Sequence, residues 1–274
     1  MGHVLEDLSS AALIKAIKAN LFAWYECQGR SRVADHRVGP PLTWVLTPIH
    51  HPFMSNVFRT DIPPAAADQT ITDALAYFRS KDVTDVSWWV EPDSQPADLA
   101  ERLMAHGLTY YGGVPGMAAD LLALHEEERA PADLAIEAVT DQAGLSLWIE
   151  THQRSAEPPD DWAKVMATLF SDMGFELPMR HYVGRRGGEP VATSQLFLAA
   201  GVAGVYCVGT LPEARRQGIG AAMTLAALRD ARALGYRIGI LHSSAMGFHV
   251  YQRLGFRELC RMGKFEWQAK PVSA

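Results

Sequence analysis

The chain has 274 residues, of which 48% are hydrophobic and 20% charged, so it is long enough to form one large or two ordinary domains. The net charge of -6 argues against general nucleic-acid binding, which normally needs a basic face. Three widely spaced cysteines predict neither a disulfide framework nor a zinc site. Charged residues near the N-terminus argue against a signal peptide, and no apolar run is long enough to span a membrane. We therefore expect a cytoplasmic protein that needs no membrane partner.

The first half of the chain predicts an alternation of helices and strands. Apolar residues at helical spacing begin after Ser9 and Ser10, which can cap a helix. Ser94 is predicted to cap a later helix that has Pro96 in its first turn and stops at Gly107. The other predicted elements of this half are a strand at 42–47, a helix starting at Asp68 or Thr70, a strand at 83–90, and one or two strands within 110–122.

The second half begins again after a polar stretch at 125–132, which we interpret as a linker with a solvated charge run. Its predicted helices start at Thr140 or Asp141, at Asp160, after Gly220 and at Ala245, and its predicted strands are 134–139, 181–185, 191–198, 202–208, 237–241 and one or two within 256–267.

The two halves share an outline near their ends. Strand 83–90, a helix ending LMAHGL and strand residues YYGGVPGMAADL are echoed by strand 237–241, a helix ending YQRLGF and RELCRMGKFEW. We interpret this similarity as a duplicated α/β fold. The predicted domains are 1–124, a degenerate copy, and 133–274, joined by the linker.

The most informative stretch of the second half is VYCVGTLPEARRQGIGAA at 205–222. An apolar strand leads into a turn with two arginines and then into a helix that starts at Gly218-Ile219-Gly220. The first N–H groups of a helix have no intrahelical partner, and the helix dipole favours an anion there. Gly218 and Gly220 would let a ligand approach the main chain. The stretch therefore predicts an anion site.

Two common nucleotide motifs do not fit this stretch. A Walker A loop needs Lys and then Ser or Thr after the second glycine, where Ala221 and Ala222 stand. A dinucleotide fingerprint needs a third glycine where Met223 stands, and it belongs to an early βα turn.

Residues 208–220, VGTLPEARRQGIG, resemble the acyl-CoA loop of the GNAT superfamily of N-acetyltransferases, Pro-Glu-x-Arg-x-x-Gly-x-Gly. A second element of that family follows at 244–256, with Tyr251 and Leu254-Gly255-Phe256. The resemblance covers 191–256 well, the rest of the second half in outline, and the first half as a possible degenerate copy. It implies an α/β (α+β) fold of two GNAT-like domains, each with a mixed, mostly antiparallel sheet flanked by helices.

The resemblance also implies a role for each matching residue. Residues 216–221 would surround the CoA pyrophosphate, residues 208–210 would line the pantetheine arm and acetyl group, and Tyr251 would protonate the leaving thiolate. Acetyl-CoA would be the co-substrate, an amine the acceptor, and no metal would be required. The implied acyl-CoA-binding residues are Val208, Gly209, Thr210, Arg215, Arg216, Gln217, Gly218, Ile219, Gly220, Ala221 and Ser244.

The sequence departs from the family at two positions. The family often has Asn where Ser244 stands. Many members also have a Glu that acts as general base on the strand before the loop, and this strand offers only Tyr206 and Cys207. His152, Glu150 and His181 are alternative candidates for the general base. A chain of water molecules could serve instead, or the amine could arrive unprotonated. Cys207 is a weak candidate nucleophile, because an apolar strand raises the pKa of a thiol.

The His50-His51 pair lacks further ligands at metal spacing and is interpreted as loop. Three functions remain open at this point. The preferred one is an N-acetyltransferase that transfers the acetyl group directly to an amine, with Tyr251 as general acid. The alternatives are a catalytically silent acyl-CoA-binding or regulatory module and a purely structural domain. The acceptor, the general base, any ligand of the N-terminal domain and the oligomeric state are not predicted.

Overall fold

A computed structural model describes residues 3–49, 51, 54–91, 93–127, 130–156 and 160–269. His50 and the linker residues Glu128 and Arg129 lie outside these ranges. The helices are α1 (Ser10–Gln28), α2 (Ala67–Ser80), α3 (Leu99–Ala105), α4 (Gln142–Ala156), α5 (Asp160–Met173), α6 (Ile219–Ala233) and α7 (Phe248–Arg253). The strands are β1 (Asp35–Arg37), β2 (Leu42–Leu46), β3 (Asn56–Thr60), β4 (Asp85–Val90), β5 (Thr109–Asp120), β6 (Leu134–Ala138), β7 (Met179–Arg186), β8 (Glu189–Ala199), β9 (Val202–Thr210), β10 (Ile238–His242) and β11 (Arg257–Gln268).

These elements confirm the predicted mixed α/β class with mostly antiparallel strands. Across the described ranges, no helix has both the length and the apolar character that crossing a membrane requires.

The chain forms two compact units, and each is built from two separate segments. Unit 1 contains the residues up to Trp24 together with Pro115–Cys260. Unit 2 contains Tyr25–Val114 together with the residues from Arg261 onward. The boundaries of the compact units therefore differ from those of the predicted domains, because each unit combines an early and a late segment of the chain. The division at 125–132 stays a prediction.

The sheet of unit 1 has the strand order β5-β10-β9-β8-β7-β6. Strands β9 and β10 run parallel and are connected through α6, whereas the neighbouring pairs of this unit are antiparallel. A parallel pair needs such a crossover connection, which is why the long breaker-free Ala/Leu run follows β9.

The sheet of unit 2 repeats this plan in the order β1-β2-β3-β4-β11. Strands β3 and β4 are parallel and are connected through α2, and the other pairs of the unit are antiparallel. Both units thus contain one parallel pair beside antiparallel strands.

The final strand of each repeat is exchanged. The succession β4, α3, β5 parallels the succession β10, α7, β11, as the shared outline predicts. Residues 116–120 of β5, however, pair with β10 in unit 1. Residues 263–268 of β11 pair with β4 in unit 2. Each repeat therefore completes the sheet of the other repeat's unit.

Some local predictions are wrong. Strands β1 and β3 were not predicted because they are short and bounded by irregular loops. Helix α3 begins at Leu99 and not after Ser94. The Ser94 hydroxyl accepts the main-chain N–H of Glu91 at 2.9 Å, so Ser94 stabilises a turn before the helix.

Helix α6 is buried along one side of the unit 1 sheet. Its buried residues pack with alternate residues of β8 and β9, including Leu196 and Val205. Small residues such as Ala227 and Ala231 allow the helix to lie close to the sheet. The helix stops at Gly235, as predicted, where φ is +89°. This packing fixes the position of the α6 N-terminus relative to the end of β9.

Helix α1 is tied to the same sheet by Asn20. The Asn20 amide donates to the carbonyls of Phe197, Ala199 and Val202 at 3.0–3.4 Å. Its Oδ1 accepts the Tyr206 hydroxyl at 2.7 Å. The side chain is fully buried, where a polar amide is stable only when it is hydrogen-bonded.

Asn20→Ala should therefore destabilise the protein by about 2–4 kcal/mol, since it removes several hydrogen bonds from a buried site. Urea denaturation followed by fluorescence measures this loss. Lys15→Ala, elsewhere on the same helix, serves as a control and should change the free energy of unfolding by less than about 0.5 kcal/mol. An Asn20→Ala protein as stable as the control would contradict the role of this residue.

Candidate active site

The end of β9 is distorted by a β-bulge. Thr193 of β8 pairs with Gly209 and Gln195 pairs with Tyr206, so Cys207 and Val208 lie opposite the single residue Ser194. Cys207 has a φ of +50°, which is uncommon for a residue with a side chain. Bulges of this kind bend a strand and interrupt its pairing, often beside functional sites.

Strand β9 also separates from its parallel neighbour. Its pairing with β10 is restricted to Ala203 and Gly204. Leu211 donates its N–H to Val191 of β8 at 2.9 Å. Because main-chain groups alternate in direction along a strand, the N–H and C=O of Thr210 face away from β8. The carbonyl accepts the Arg215 guanidinium at 3.1 Å, so the N–H is the main-chain group that this end of β9 offers to an extended ligand.

A tight loop connects β9 to α6. A short 3-10 helix at Pro212–Ala214 is followed by Arg216, with φ +62°, and by Gly218, with φ +78°, immediately before Ile219. Within the described ranges, the main-chain N–H groups of 216–221 donate no hydrogen bond. Free N–H groups at and just before a helix N-terminus suit an anionic ligand, and the predicted anion site stays a prediction.

Gly209 and Gly220 differ in the space that surrounds them. A Cβ at Gly209 would lie 2.1 Å from the Ser155 hydroxyl oxygen, so a glycine is needed for α4 to approach β9. A Cβ at Gly220 would meet nothing closer than the Thr210 hydroxyl at 3.9 Å. The fold therefore leaves room for a side chain at Gly220, and this space opens toward the cavity described next.

One cavity of about 1620 Å³ contains all twelve predicted site residues in its lining. Those residues come from the end of β9, the loop, the first turn of α6 and the segment around α7. The cavity lies wholly within unit 1. Its predicted lining residues are Val208, Gly209, Thr210, Arg215, Arg216, Gln217, Gly218, Ile219, Gly220, Ala221, Ser244 and Tyr251.

Cationic side chains outnumber anionic ones in this lining. The arginines are Arg215, Arg216 and Arg253, and the carboxylate is Glu127. Arg215 donates to the main-chain carbonyls of Thr210 and Ser155 at 3.1 and 3.0 Å, which holds the loop to the end of α4. Together with the loop N–H groups, the arginines favour a polyanionic ligand.

Tyr251 lies on α7, which follows the loop and α6 in the chain, and its side chain lines the same cavity. Its ring packs against Phe256 at a centroid distance of 6.1 Å and would be within 2.7 Å of a Cβ at Gly247. Burial raises the pKa of the Tyr251 phenol to about 12, partly offset by a hydrogen bond with Thr224. The phenol is therefore protonated at neutral pH and can donate a hydrogen bond.

Comparisons with known proteins agree with this geometry. Residues 146–256, which contain the bulge, the loop, α6 and α7, match the Acetyltransferase (GNAT) family. The residues 146–256 are a GNAT-family domain.

Solved structures extend the similarity of fold to nearly the whole chain. A GCN5-related N-acetyltransferase from Kribbella flavida is 23% identical with a TM-score of 0.68, over 92% of this chain and 96% of that one. A tandem GNAT protein from the clavulanic acid biosynthesis pathway is 14% identical with a TM-score of 0.58, over 99% and 98%. A GCN5-related N-acetyltransferase from Sphaerobacter thermophilus is 14% identical with a TM-score of 0.57, over 86% and 82%. No curated protein sequence matches this chain.

Two further predicted site residues of the GNAT domain, Ser244 and Gln217, make hydrogen bonds within the protein. The Ser244 hydroxyl accepts the Gly247 N–H at 3.2 Å, at the turn that starts α7. The Gln217 side chain accepts Arg186 of β7 at 2.6 Å. Both residues line the cavity, and their contacts with acetyl-CoA stay a prediction.

The structure separates the three candidate bases. His152 lines the cavity, whereas Glu150 is exposed and outside its lining. His181 is fully buried on β7 and also outside the lining. Burial lowers the pKa of His152 to about 4 and that of His181 to about 3, the latter also through repulsion from His152. His152 is thus the candidate that combines position with an uncharged ring.

Neither Cys207 nor His51 is among the residues that line the cavity. Burial raises the pKa of the Cys207 thiol to about 12, so thiolate is scarce at neutral pH. His51 lies in unit 2, outside the residues that line the cavity. The described residues contain no group of three or more His, Cys, Asp or Glu side chains arranged to hold a metal ion.

Several lining residues were not predicted from the sequence. The linker was interpreted as solvated surface, yet His125 and Glu127 line the cavity. His125 donates its main-chain N–H to Leu254 at 3.2 Å, and its Nδ1 lies 3.0 Å from the Arg253 carbonyl. Ser155 and Ala156 at the end of α4 also contribute. No local motif signals these positions, because tertiary packing alone brings them to the cavity.

His181 should make the GNAT domain sensitive to acid. Gln195 Oε1 accepts the Trp24 indole at 2.7 Å, so the Gln195 amide nitrogen donates to His181 Nε2 at 2.8 Å. Protonation of Nε2 would place two donors against each other. Because the pKa of His181 is lower in the folded protein, the unfolded chain binds more protons below about pH 6.5 and stability falls as the pH drops.

The expected loss from His181 is about 1.4 kcal/mol per pH unit between about pH 6 and 4. Urea denaturation over this range measures the slope. His181→Gln should make the slope shallower by about one proton, whereas His249→Gln on the exposed side of α7 should not. Equal slopes for the wild type and His181→Gln would contradict the interpretation.

Proposed function

We propose that the protein is an N-acetyltransferase that transfers the acetyl group of acetyl-CoA directly to an amine. The observation that supports this function best is the joint lining of one cavity by the bulged end of β9, the unpaired N–H groups of 216–221 and Tyr251. These three elements match the needs of a phosphate-bearing thioester: anion binding, alignment of an extended arm and a donor for sulfur.

Residues 216–221 would hold the pyrophosphate of CoA through their main-chain N–H groups, and Arg216 and Arg253 would add charge. The pantetheine arm would lie along the free edge of β9 like an additional strand and accept a hydrogen bond from the Thr210 N–H. The acetyl carbonyl would then reach the bulge at Val208 and Gly209, where a main-chain N–H polarises it. Ser244 would contact the arm from the side of α7.

Tyr251 would donate a hydrogen bond to the sulfur as it leaves. With a phenol pKa near 12 and a reference thiol pKa near 8.5, complete transfer of the phenolic proton is uphill by about 5 kcal/mol. The higher pKa results from burial, which the sequence does not reveal. The hydrogen bond therefore supplies most of the stabilisation, and the thiolate receives a proton overall from the amine.

Calorimetry with acetyl-CoA, followed by thiol release with a panel of primary amines, tests this function. We expect micromolar binding and release of one CoA per acetylated amine. A protein that binds no acetyl-CoA would refute the proposal.

The alternative of a silent acyl-CoA-binding module is favoured by one observation. The strand β9 contains no carboxylate. Its Tyr206 hydroxyl donates to Asn20, and burial raises the pKa of the Cys207 thiol, so neither side chain is a suitable base. Tight acetyl-CoA binding without thiol release for any amine would favour this module over the enzyme.

A further inference from the structure

The strand β9 lacks a base, but a candidate base lies beside it on α4. His152 lines the cavity and its ring stacks on Trp148 at a centroid distance of 5.1 Å and an angle of 15°. Phe170 of α5 meets the same ring edge-on at 5.9 Å. The imidazole is therefore held between α4, α5 and the sheet and presents a limited part of its edge to the cavity.

Hydrogen bonds determine which nitrogen of His152 carries the proton. Its Nδ1 lies 3.2 Å from the Thr193 hydroxyl oxygen. That hydroxyl donates its single hydrogen to the Cys207 carbonyl at 3.0 Å. The oxygen can therefore only accept from His152, so Nδ1 carries the hydrogen. Nε2 keeps a free lone pair, and it makes no hydrogen bond within the described part of the chain.

The same contacts connect His152 to the reaction site. Thr193 pairs with Gly209, and its hydroxyl oxygen would be 3.1 Å from a Cβ at that position. Its hydrogen bond to Cys207 ends at the bulge itself. Thr193 thus links the His152 ring to the bulged main chain of β9, against which the acetyl group is expected to lie.

We propose that His152 is the general base of the transfer and that Thr193 positions it; this inference rests on the proposed function. The amine enters uncharged and its nitrogen forms a bond to the acetyl carbon. As the nitrogen becomes cationic, His152 Nε2 accepts one of its protons. The bond between carbon and sulfur breaks, the sulfur leaves with the electron pair, and the proton passes on through solvent to give free CoA and the N-acetyl product.

The low basicity of His152 suits this step. A free alkylammonium ion holds its proton too strongly for an imidazole with a pKa near 4. A nitrogen already bonded to the acyl carbon is far more acidic, so its proton can be accepted. The titratable groups near the ring are His181 on β7 and Cys207 on β9, and both are uncharged at neutral pH. His152 thus stays unprotonated over the ordinary pH range.

The test uses the whole protein, acetyl-CoA and hydroxylamine, a small nucleophile that is uncharged at pH 7 and does not depend on the acceptor pocket. His152→Asn keeps a donor toward Thr193 but removes the basic nitrogen. We expect its kcat for CoA release to fall about 100-fold, with acetyl-CoA affinity within threefold of the wild type. Thr193→Val should lower kcat about tenfold, and Thr193→Ser, which keeps the hydroxyl, should restore it.

A second readout is independent of turnover. Nitrogen-15 NMR of labelled histidine should show His152 with hydrogen on Nδ1 in the wild type and in Thr193→Ser, and a mixture of tautomers in Thr193→Val. A wild-type Nε2–H tautomer would overturn the proposal.

The outcomes of the kinetic test are separable. If the wild type binds no acetyl-CoA, or binds it but releases no CoA with any nucleophile, the proposed function fails and the base assignment with it. If the wild type turns over and His152→Asn stays within twofold of it, only the base assignment fails. Loss of activity in His242→Asn but not in His152→Asn would likewise overturn it, in favour of the buried histidine at the end of β10.

Discussion

Gly220→Leu should reduce the affinity for acetyl-CoA at least 100-fold while leaving the fold intact. A Cβ at this position has free space in the protein, so the new side chain meets no wall before it enters the cavity. Leucine is also a better helix former than glycine by about 0.8 kcal/mol, and Gly220 lies in the first turn of α6. The side chain would occupy the place where a phosphate must approach the N–H groups.

Calorimetry with acetyl-CoA and thermal denaturation together check this prediction. The expected combination is an unchanged or higher Tm with lost binding. Ala233→Leu, at the exposed far end of the same helix, is the matched control and should bind normally. Retained affinity in a folded Gly220→Leu protein would refute the phosphate assignment.

Tyr251→Phe should lower kcat about 100-fold with little change in acetyl-CoA binding. The ring keeps its packing against Phe256, and only the hydroxyl is lost. Removing a single donor to developing negative charge in an active site typically costs 10²–10³ in kcat. Binding should persist, because the loop and the edge of β9 carry most of the contacts expected with CoA.

Steady-state kinetics with a reactive amine separate kcat from KM for this variant. A thioester with a better leaving group should recover part of the lost rate, since the sulfur then needs less stabilisation. Phe248→Leu, on the same short helix, controls for disturbed packing. An unaltered rate in Tyr251→Phe would remove this residue from the mechanism.

The residues that line the cavity at the end of β9 could be predicted from sequence because their signals are local. The glycines, arginines and strand-to-helix order lie within 205–222, and all of those predicted residues line one cavity. The base could not be selected in this way. His152 and His181 look alike in sequence, and only tertiary packing places one ring at the cavity and the other in the core. The linker residue His125 shows the same limitation.

The fold class and most elements followed from periodicity and breakers, as with α6 and its stop at Gly235. The exchange of β5 and β11 could not be predicted, because strand partners are determined by long-range pairing that local pattern does not encode. The bulge was equally hidden, since nothing in the residues around Cys207 marks the positive φ.

The exchanged strands also limit how a chain with this topology can change during evolution. If the chain were cut at 125–132, the second piece would lack the Leu13, Ile17 and Ala118 side chains that pack with Ile238 and Ile240. The first piece would lack Phe265 and Trp267 from its own core. Neither repeat could then be inherited, shuffled or lost alone without exposing a core. The half that carries the acyl-CoA motif therefore depends on segments encoded within the half that lacks it.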